Sequence, residues 1–584
     1  MNYPKLKELK TSRTMVDAFR GYNHNLRLSD GEFFDMKNMT SDYYPIAAPR
    51  GKRSVFADLM YPQGLIAKDS LCYVEGPDFI IGEYRIPMDL STAEEDCPKQ
   101  LTSMGAYVII MPDKKYINTM DLNDYGSIEA SFRAGTDVTF TLCTITGDTY
   151  DNPTISATAP SNPENLDCWI DTSSVPHTLK RYTTASEMWV SIATTYVKIT
   201  SPGLGKAFKQ YDGVTISGIT NDAATSLNGS AALWGCGEDY IVIVGMIDAV
   251  ATQNASEGTI TITRQMPNMD FIIESENRLW GCRYGTAVNG DVVNEIYASK
   301  LGDFRNWNCF MNLATDSYTA SCGTDGPFTG AITHLGYPLF FKENCVHKVY
   351  GNYPANFQIQ TTVCRGVQKG SHNSLAIVNE TLFYKGITGV CAYDGSLPVE
   401  ASSALGSENY SDAVAGAHGN KYYISMKDEM GAWHLFVYDV AKGMWHKEDD
   451  LHADDFCSCR GELYCIDHDS KSILTMAGPG AGKEEVEWMV ETGEIGISSP
   501  DMKYISRLIV RMSLEVGSEI RFSARYDFSN DWEELFTMRG TSLRSFSIPI
   551  RPKRCDHMKI RIEGQGGAKI YSITKIIEQG SDIS

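Results

Sequence analysis

Short apolar runs separated by tight turns dominate the chain, and the clearest case lies between residues 413 and 445. Gly419-Asn420 is a hairpin-type turn, and residues 421–426 follow as a run rich in aromatic and β-branched side chains, which are typical of strands. A second turn at 428–431 leads into another apolar run at 433–438. Three or four short strands within about forty residues are typical of one blade of a β-propeller.

The same pattern recurs along the chain. A polar or glycine turn precedes an apolar or aromatic strand start at residues 69–73, 105–108, 277–280, 336–340, 380–384, 420–423 and 461–464. From the third instance onward the spacing is roughly forty to sixty residues, near the length of a four-stranded blade. Because a single blade cannot bury its own apolar face, such units must stack around an axis. The sequence therefore predicts an all-β fold built on a β-propeller of about seven blades.

The pattern also predicts domain boundaries. Residues 1–55 mix aromatic and turn residues without a sustained period, which predicts an N-terminal arm. The propeller pattern covers 56–126 and resumes over 270–476, and residues 127–269 between them alternate as an inserted small β domain. After a flexible linker at 477–486, residues 487–584 alternate again, which predicts a C-terminal β-sandwich.

The arm supplies the candidate site residues. Tyr22, Phe33, Phe34, Tyr43 and Tyr44 lie in a segment with no internal period that could bury them. Aromatic side chains anchor many protein interfaces. We therefore expect these five residues to contact either a neighbouring subunit or another face of the same propeller.

Charge and cysteine content narrow the function classes. The chain of 584 residues carries a formal net charge of −21, which disfavours a protein that grips phosphate backbones. Its 15 cysteines are an odd number scattered through strand-like segments, which indicates reduced, mostly buried thiols in a cytoplasmic product. The N-terminal residues lack the apolar run of a signal peptide, and no stretch is long enough to span a bilayer.

Motifs for catalysis, cofactors or metals are not found at the required spacings, so no enzyme activity, cofactor or metal ion is predicted. The nearest approach to a metal cluster combines Cys457, Cys459 and Cys465 with His452 and His468. Positions 457 and 459 share one side of a strand, so two thiolate ligands are geometrically feasible. Burial of both as small hydrophobic residues is the favoured alternative, because free cysteine is among the most buried residue types.

Two further segments resemble functional motifs only in part. Residues 477–483 look like a phosphate-binding loop, but Ala477 stands where the first glycine is needed and Glu484 where Ser or Thr should follow the lysine. Residues 302–307 and 527–532 faintly echo the aspartate-containing turns of propeller glycosidases. We interpret the first as a linker, and the others as turns that hold core aromatic residues.

Several segments resemble structural proteins of tailed bacteriophages and prophages of Gram-positive gut bacteria. They are residues 30–40, 301–307, 337–344, 364–371 and 392–398. More distantly, the arm-plus-propeller plan is similar to the tail-hub or nozzle proteins of short-tailed phages, also called packaged-DNA stabilisation proteins. No catalytic residue is carried over from either resemblance.

The resemblance implies a non-enzymatic virion protein that closes or extends the tail channel and helps to retain and deliver the genome. Its implied partners are copies of itself in a ring, for example a hexamer, together with the portal or head-tail adaptor and other tail proteins. DNA would pass through the channel without specific binding, and the protein would be made in the host cytoplasm before joining the virion tail. The alternatives are a peripheral receptor- or glycan-binding propeller and, third, a glycan-cleaving propeller enzyme.

Overall fold

The computed structural model describes residues 10–92, 98–287, 290–478, 482, 485–497, 502–527 and 529–579. Across these residues the regular structure consists of strands and five short 3-10 helices, without an α-helix. The all-β prediction is confirmed, and so are the propeller, the inserted β domain and the C-terminal sandwich. In the same part of the chain, no helix has the length and apolar character needed to cross a membrane.

The strands fall into five consecutive groups. The arm holds β1 (Thr11–Val16), β2 (Gly21–Tyr22), β3 (Glu32–Lys37), β4 (Met39–Thr40) and β5 (Ala48–Pro49). The first propeller segment holds β6 (Ser54–Asp58), β7 (Pro62–Ala67), β8 (Leu71–Glu75), β9 (Asp78–Ile81), β10 (Tyr84–Pro87), β11 (Gln100–Met104), β12 (Tyr107–Met111), β13 (Lys115–Asn118) and β14 (Asp121–Ser127). The insert holds β15 (Ala130–Arg133), β16 (Val138–Cys143), β17 (Thr154–Ser156), β18 (Cys168–Asp171), β19 (Thr178–Thr183), β20 (Met188–Ser191), β21 (Tyr196–Thr200), η1 (Leu204–Ala207), β22 (Gly213–Ser217), η2 (Thr225–Leu227), β23 (Gly229–Cys236), β24 (Tyr240–Val244), β25 (Ala251–Gln253) and β26 (Thr261–Arg264).

The second propeller segment and the C-terminal domain complete the chain. The propeller segment holds β27 (Phe271–Ser275), β28 (Arg278–Thr286), β29 (Val292–Ala298), β30 (Tyr318–Ser321), β31 (Gly330–His334), β32 (Tyr337–Lys342), β33 (Cys345–Tyr350), η3 (Pro354–Asn356), β34 (Gln358–Val363), η4 (His372–Ser374), β35 (Ala376–Val378), β36 (Thr381–Lys385), β37 (Val390–Tyr393), β38 (Val399–Glu400), η5 (Ser403–Leu405), β39 (Tyr410–His418), β40 (Lys421–Asp428), β41 (Trp433–Asp439), β42 (Met444–Lys447), β43 (Ala453–Cys459), β44 (Glu462–Asp467) and β45 (Ser472–Ala477). The C-terminal domain holds β46 (Glu487–Thr492), β47 (Lys503–Tyr526), β48 (Glu533–Ile548), β49 (Met558–Gln565) and β50 (Ala568–Gln579). Residues 479–481 and 483–484 of the predicted linker lie outside the described residues.

Seven four-stranded units form the propeller in the described part of the chain. In chain order they are β7–β10, β11–β14, β27–β30, β31–β34, β35–β38, β39–β42, and β43–β45 joined by β6, and we number them blades 1 to 7. The first strand of each blade lies innermost and contacts a neighbouring blade, and β43 contacts β7, so blade 7 meets blade 1.

Two long-range contacts close this ring. The outer strand of blade 7 is β6, which comes from the N-terminal side of blade 1 and pairs with β45. Just before β6, Arg53 forms buried ion pairs with Glu448 and Asp449, each at 2.6 Å, in the segment between blades 6 and 7. The two ends of the propeller sequence are therefore held together by a shared sheet and by charge.

Each blade buries both of its faces. Neighbouring residues of a strand point to opposite faces, so Phe383 and Tyr384 of blade 5 contact different blades. The Phe383 ring lies 5.3 Å from Tyr422 of blade 6, and the Tyr384 ring lies 5.2 Å from Phe341 of blade 4. This two-sided burial explains the continuous apolar runs in the second strands of the blades.

The insert leaves and re-enters the propeller at one place. Its first and last strands are paired, with Ala130 opposite Arg264. Arg264 forms a 2.5 Å ion pair with Asp212, and Asn306 of blade 3 donates a 2.9 Å hydrogen bond to the same carboxylate. In return, the backbone N–H of Gly213 donates to Asn306 Oδ1 at 2.9 Å. A buried polar network thus fixes the insert against blade 3.

The arm joins the propeller to the sandwich. Strand β2 pairs with β42 of blade 6, β3 runs parallel to β2, and β46 of the sandwich pairs with β3. The result is a 12-stranded sheet that runs from blade 6 through the arm into the C-terminal domain. The arm contacts its own propeller and its own sandwich at the same time, and this contact buries the side chains of Tyr22 and Phe33.

The sandwich is built around the long strand β47. Its first half pairs with β50 and its second half with β49, and β48 pairs along both halves. The change of partner falls between Leu514 and Glu519, around Gly517, which has a φ of +91° that other residues rarely adopt. Strand β1 of the arm adds to β50 at the edge, so the arm contributes strands to both halves of this domain.

Deleting the insert tests its independence. The Cα atoms of paired residues in antiparallel strands lie about 5 Å apart, so the two ends of the insert are close together. A Gly-Ser-Gly linker from Glu129 to Gln265 should therefore replace residues 130–264 without strain. We expect the shortened protein to remain folded, with one cooperative unfolding transition in circular dichroism. Insolubility of the deletion protein would show that the insert belongs to the propeller core.

A point substitution tests the polar network that fixes the insert. In the full chain, Arg264→Ala should lower the free energy of unfolding by about 3–5 kcal/mol, because it leaves Asp212 buried without its ion-pair partner.

Two aromatic residues of the arm test the joint between the domains. Phe33 is 2% exposed, whereas Tyr43 is 46% exposed. We expect Phe33→Ala to lower the free energy of unfolding by about 3–5 kcal/mol, because it leaves a cavity in the shared sheet. The matched variant Tyr43→Ala should change it by less than about 0.5 kcal/mol in urea denaturation. Equal effects would contradict the assignment of the arm to the core.

Candidate ligand site in the central channel

The inner strands surround a cavity of about 780 Å³ on the propeller axis. Its wall includes residues from all seven blades or from the segments that lead into them, and most of these lie where the inner strands begin. All acidic side chains of this wall lie on the side of blades 6 and 7, next to two histidines and a tryptophan. These residues are Asp412, Trp433, His452, Asp454, Asp455 and His468.

Three aromatic rings form a stack at this side of the cavity. The His452 ring lies 3.8 Å from the Trp433 ring with an interplanar angle of 13°, and 4.0 Å from the His468 ring. The backbone N–H of His468 donates a 2.9 Å hydrogen bond to the carbonyl of His452. Burial, reinforced by the nearby His468, lowers the pKa of His452 to about 4. At neutral pH this imidazole is therefore uncharged.

Asp454 lies against both histidines. His468 Nδ1 is 3.0 Å from Asp454 Oδ1, and His452 Nε2 is 3.9 Å from the same oxygen. One donor atom from each of the three residues can be chosen so that all three lie within 4.8 Å of one another. Two imidazole nitrogens and a carboxylate oxygen at this spacing form a group that could hold a metal ion.

Asp455 occupies the junction between blade 7 and blade 1. Its carboxylate accepts 2.8 Å hydrogen bonds from the backbone N–H groups of Leu65 and Phe456. Burial nevertheless raises its pKa to about 7, because desolvation outweighs the two hydrogen bonds. Near neutral pH the channel wall therefore carries a carboxyl group that can either hold or release a proton.

The structure separates the cysteines from the histidines that the sequence groups with them. Cys459 packs in the cluster between blades 7 and 1, and Cys465 in the cluster between blades 6 and 7. The two thiols therefore face opposite sides of the blade. The histidines instead meet Asp454, a residue that the sequence analysis does not single out.

A local signal for this arrangement exists. Strands β43 and β44 form a hairpin around Arg460-Gly461, and counting back from that turn places His468 near Asp454. A register shift between Ala453 and Asp455 makes the count uncertain by one residue. Such a shift changes which side chains share a face, so pattern alone does not identify the group.

The predicted interface residues lie in two different environments. Tyr22 and Phe33 are buried, and Phe34 is partly covered, with its ring 4.2 Å from the ring of His24 and 3.6 Å from Lys559 Nζ. Tyr43 and Tyr44 are each 46% exposed. The first three residues make contacts within the chain, and the two tyrosines keep a surface on which a neighbouring subunit could pack. Contact with another subunit stays a prediction.

The segments that echo glycosidase turns make structural contacts. Asp303 accepts hydrogen bonds from the backbone of Arg305 and from the side chain of Asn306, and Trp307 is buried in the cluster between blades 2 and 3. Asp527 accepts a 2.7 Å hydrogen bond from the backbone of Asp556. Both segments hold turns, and neither lines the central cavity.

No family model and no curated protein matches the chain. Among solved structures, the exo-β-1,3-galactanase of Phanerochaete chrysosporium matches over 52% of this chain and 94% of its own, with 7% identity and a TM-score of 0.23. PorZ, a surface component of the type-IX secretion system of Porphyromonas gingivalis, matches over 88% and 82%, with 9% identity and a TM-score of 0.25. The sialidase of Trypanosoma rangeli matches over 97% of this chain and 95% of its own, with 8% identity and a TM-score of 0.18. Identities and TM-scores as low as these three carry no information about function.

The carboxyl group of Asp455 gives a pH-dependent prediction. Its pKa is 3.8 in the reference state and about 7 in the folded protein, so between these values the folded protein holds a proton that the unfolded chain has lost. The free energy of unfolding should therefore fall as pH rises through this window and level off above it. Asp455→Asn should remove this part of the pH dependence of the free energy of unfolding. The stability of the variant relative to the wild type should therefore increase as pH rises.

Urea denaturation at several pH values in chelating buffer measures this effect. Asp412→Asn is the matched control, because Asp412 lines the same cavity with about half of its side chain exposed. That variant should keep the wild-type slope. An unchanged slope in Asp455→Asn would show that the Asp455 carboxyl group is hydrated in the folded protein.

Proposed function

We propose that the protein is a non-enzymatic structural component of a tailed-phage virion, and more specifically a subunit of the tail hub or nozzle. The observation that carries this proposal is the continuous 12-stranded sheet from blade 6 through the arm to the sandwich. At its narrowest this sheet is the single residue pair Tyr22–Trp445, and a buried cluster that includes Phe33, Trp445 and Trp488 packs blade 6, the arm and the sandwich together at this place. A part of a channel that must withstand packaged DNA needs this kind of rigid connection.

The phage-like segments support the proposal by their positions. Residues 30–40 include β3 and β4, which form the connection between the propeller and the sandwich. Residues 301–307 include Asn306, which fixes the insert to blade 3. The resemblance thus includes joints that maintain the shape of the molecule, as expected for a part selected to fit into an assembly.

Size and charge indicate where DNA would pass. A cavity of about 780 Å³ falls in the range of small-molecule pockets, about 300–1,000 Å³, so DNA does not pass along the propeller axis. In the proposed ring the DNA channel runs between subunits. A net charge of −21 over the whole chain disfavours tight phosphate contacts, which suits a protein along which DNA slides.

A second candidate function has one specific observation in its favour. The Trp433–His452 ring stack and the neighbouring carboxylates place an aromatic surface beside hydrogen-bonding groups on one side of the central cavity, and small-molecule sites use such groups to fix the orientation of a ligand. A propeller at the virion periphery that binds a receptor or glycan would use such a cavity. In this case the protein would bind its ligand without forming an axial ring.

Assembly and DNA binding of the purified full-length protein test the proposed function. We expect ring-shaped particles in negative-stain electron microscopy and no measurable binding of duplex DNA at physiological salt. Tyr43→Ala/Tyr44→Ala should weaken the ring and leave the unfolding transition nearly unchanged, because these side chains are half exposed. The control is Tyr84→Ala, which changes a tyrosine that is 66% exposed on the outer strand of blade 1.

Disruption of the gene separates the two candidate functions. For a tail hub, the mutant particles should package DNA and then lose it through an incomplete tail. Particles with full heads and complete tails that fail only to adsorb would instead support the peripheral binding function. A purified protein that stays monomeric and binds duplex DNA tightly would contradict the hub proposal.

A further inference from the structure

We propose that His452, Asp454 and His468 bind one divalent transition-metal ion at the edge of the central cavity, with Zn²⁺ as the reference ion. Among the residues that the structure describes, this is the one group of three or more His, Cys, Asp or Glu side chains whose donor atoms converge, within 4.8 Å of one another. The proposal is independent of the virion function.

The geometry fits a tetrahedral ion. With metal–ligand bonds of about 2.0–2.1 Å, neighbouring donor atoms of such a site lie about 3.3 Å apart. The observed distances from Asp454 Oδ1 are 3.0 Å to His468 Nδ1 and 3.9 Å to His452 Nε2. These two distances lie on either side of the ideal value. All three donor atoms lie within 4.8 Å of one another, so side-chain movements on the order of 1–2 Å would bring the set to the spacing of a bound ion.

The ligand types favour a particular class of ion. Two imidazole nitrogens and one carboxylate oxygen suit Zn²⁺ and other late first-row ions, whereas Ca²⁺ and Mg²⁺ prefer sites made of oxygen. Asp467 and Asp469 flank His468 and add negative charge beside the group. The added charge favours any cation. The two imidazole ligands should still make the site bind Zn²⁺ in preference to Mg²⁺.

The ligands are held in place without an ion. The Trp433 ring covers one face of His452 at 3.8 Å, which limits rotation of the imidazole. The hydrogen bond from His468 N–H to the His452 carbonyl joins the start of β43 to the turn after β44. An ordinary His–Asp pair lacks this arrangement. His177 and Asp248 lie 2.7 Å apart, and within the described part of the chain no third ligand of this kind joins them.

Three protein ligands leave at least one coordination position open. All three ligands line the central cavity, so an open position is accessible from it. A bound ion would accept a water molecule there, or an oxygen or nitrogen donor of a small ligand in the cavity. It would also link β43 to the following hairpin within blade 7, the blade that closes the ring.

Metal titration of the untagged full-length protein tests the proposal. After treatment with a chelator and its removal, isothermal titration with ZnCl₂ should show one saturable site per chain, and MgCl₂ should show none. His468→Ala should weaken Zn²⁺ binding by at least about 10- to 100-fold, the loss typical even of changes next to a metal ligand. The His468 side chain is 43% exposed, so this variant should fold like the wild type in circular dichroism.

Two matched controls remove side chains of metal-ligating types that lie outside the proposed site. His177→Ala removes a histidine from an ordinary His–Asp pair, and Cys457→Ala removes a thiol close to the site in sequence, and both should retain wild-type affinity. Asp454→Asn provides a second ligand variant with nearly unchanged size and should also weaken binding. The proposal is overturned if wild-type protein shows no saturable Zn²⁺ site, or if His468→Ala and Asp454→Asn both bind as the wild type does.

Discussion

The fold depends on the burial of both faces of every blade. A blade of four short strands has two apolar faces, and each is covered only when a neighbouring blade is present. The core of the propeller is consequently divided into clusters between successive blades, such as the one that joins Phe341 to Tyr384 and the one that joins Tyr423 to Leu463. The cluster between blades 5 and 6 continues through the arm into the sandwich. No cluster can form until two blades meet, and the last two meet only when the ring closes. Closure is therefore a condition of stability for the whole propeller.

The N-terminal segment provides the closure and also links the domains. Strand β6 completes blade 7, and the strands before it connect blade 6 to the sandwich. The aromatic residues of the arm are unusual in sequence because they serve sheets whose other strands lie more than 400 residues away. The absence of a local period in this segment is explained by its long-range pairing. This pairing also explains why Tyr22 and Phe33 are buried within the chain, while Tyr43 and Tyr44 in the turn after β4 keep exposed surface.

Features that depend on local pattern could be predicted from the sequence, and features that depend on long-range pairing could not. Turns such as Gly419-Asn420 and the apolar runs that follow them identify hairpins, because hairpin pairing is fixed by neighbouring residues. The insert was also recognisable, since its alternating strands interrupt the spacing of the blades. In contrast, nothing near residues 54–58 indicates that they pair with β45, and nothing near Tyr22 indicates that it pairs with Trp445. At the candidate site, the sequence drew attention to Cys457 and Cys459 because they alternate, but alternation does not show which face is buried.

The position of the candidate site follows from the way the ring closes. Blade 7 meets blade 1 through the inner strands β43 and β7, where Asp455 accepts a hydrogen bond from the Leu65 N–H. His452 and Asp454 precede Asp455 in the chain and line the same cavity, and the hairpin of β43 and β44 places His468 beside them. The polar side chains at this side of the cavity thus come from blade 7, whose outer strand β6 belongs to the N-terminal part of the chain. Because His452, Asp454 and His468 all lie on or beside the β43–β44 hairpin, an ion bound by them would stabilise this hairpin, whose inner strand meets blade 1.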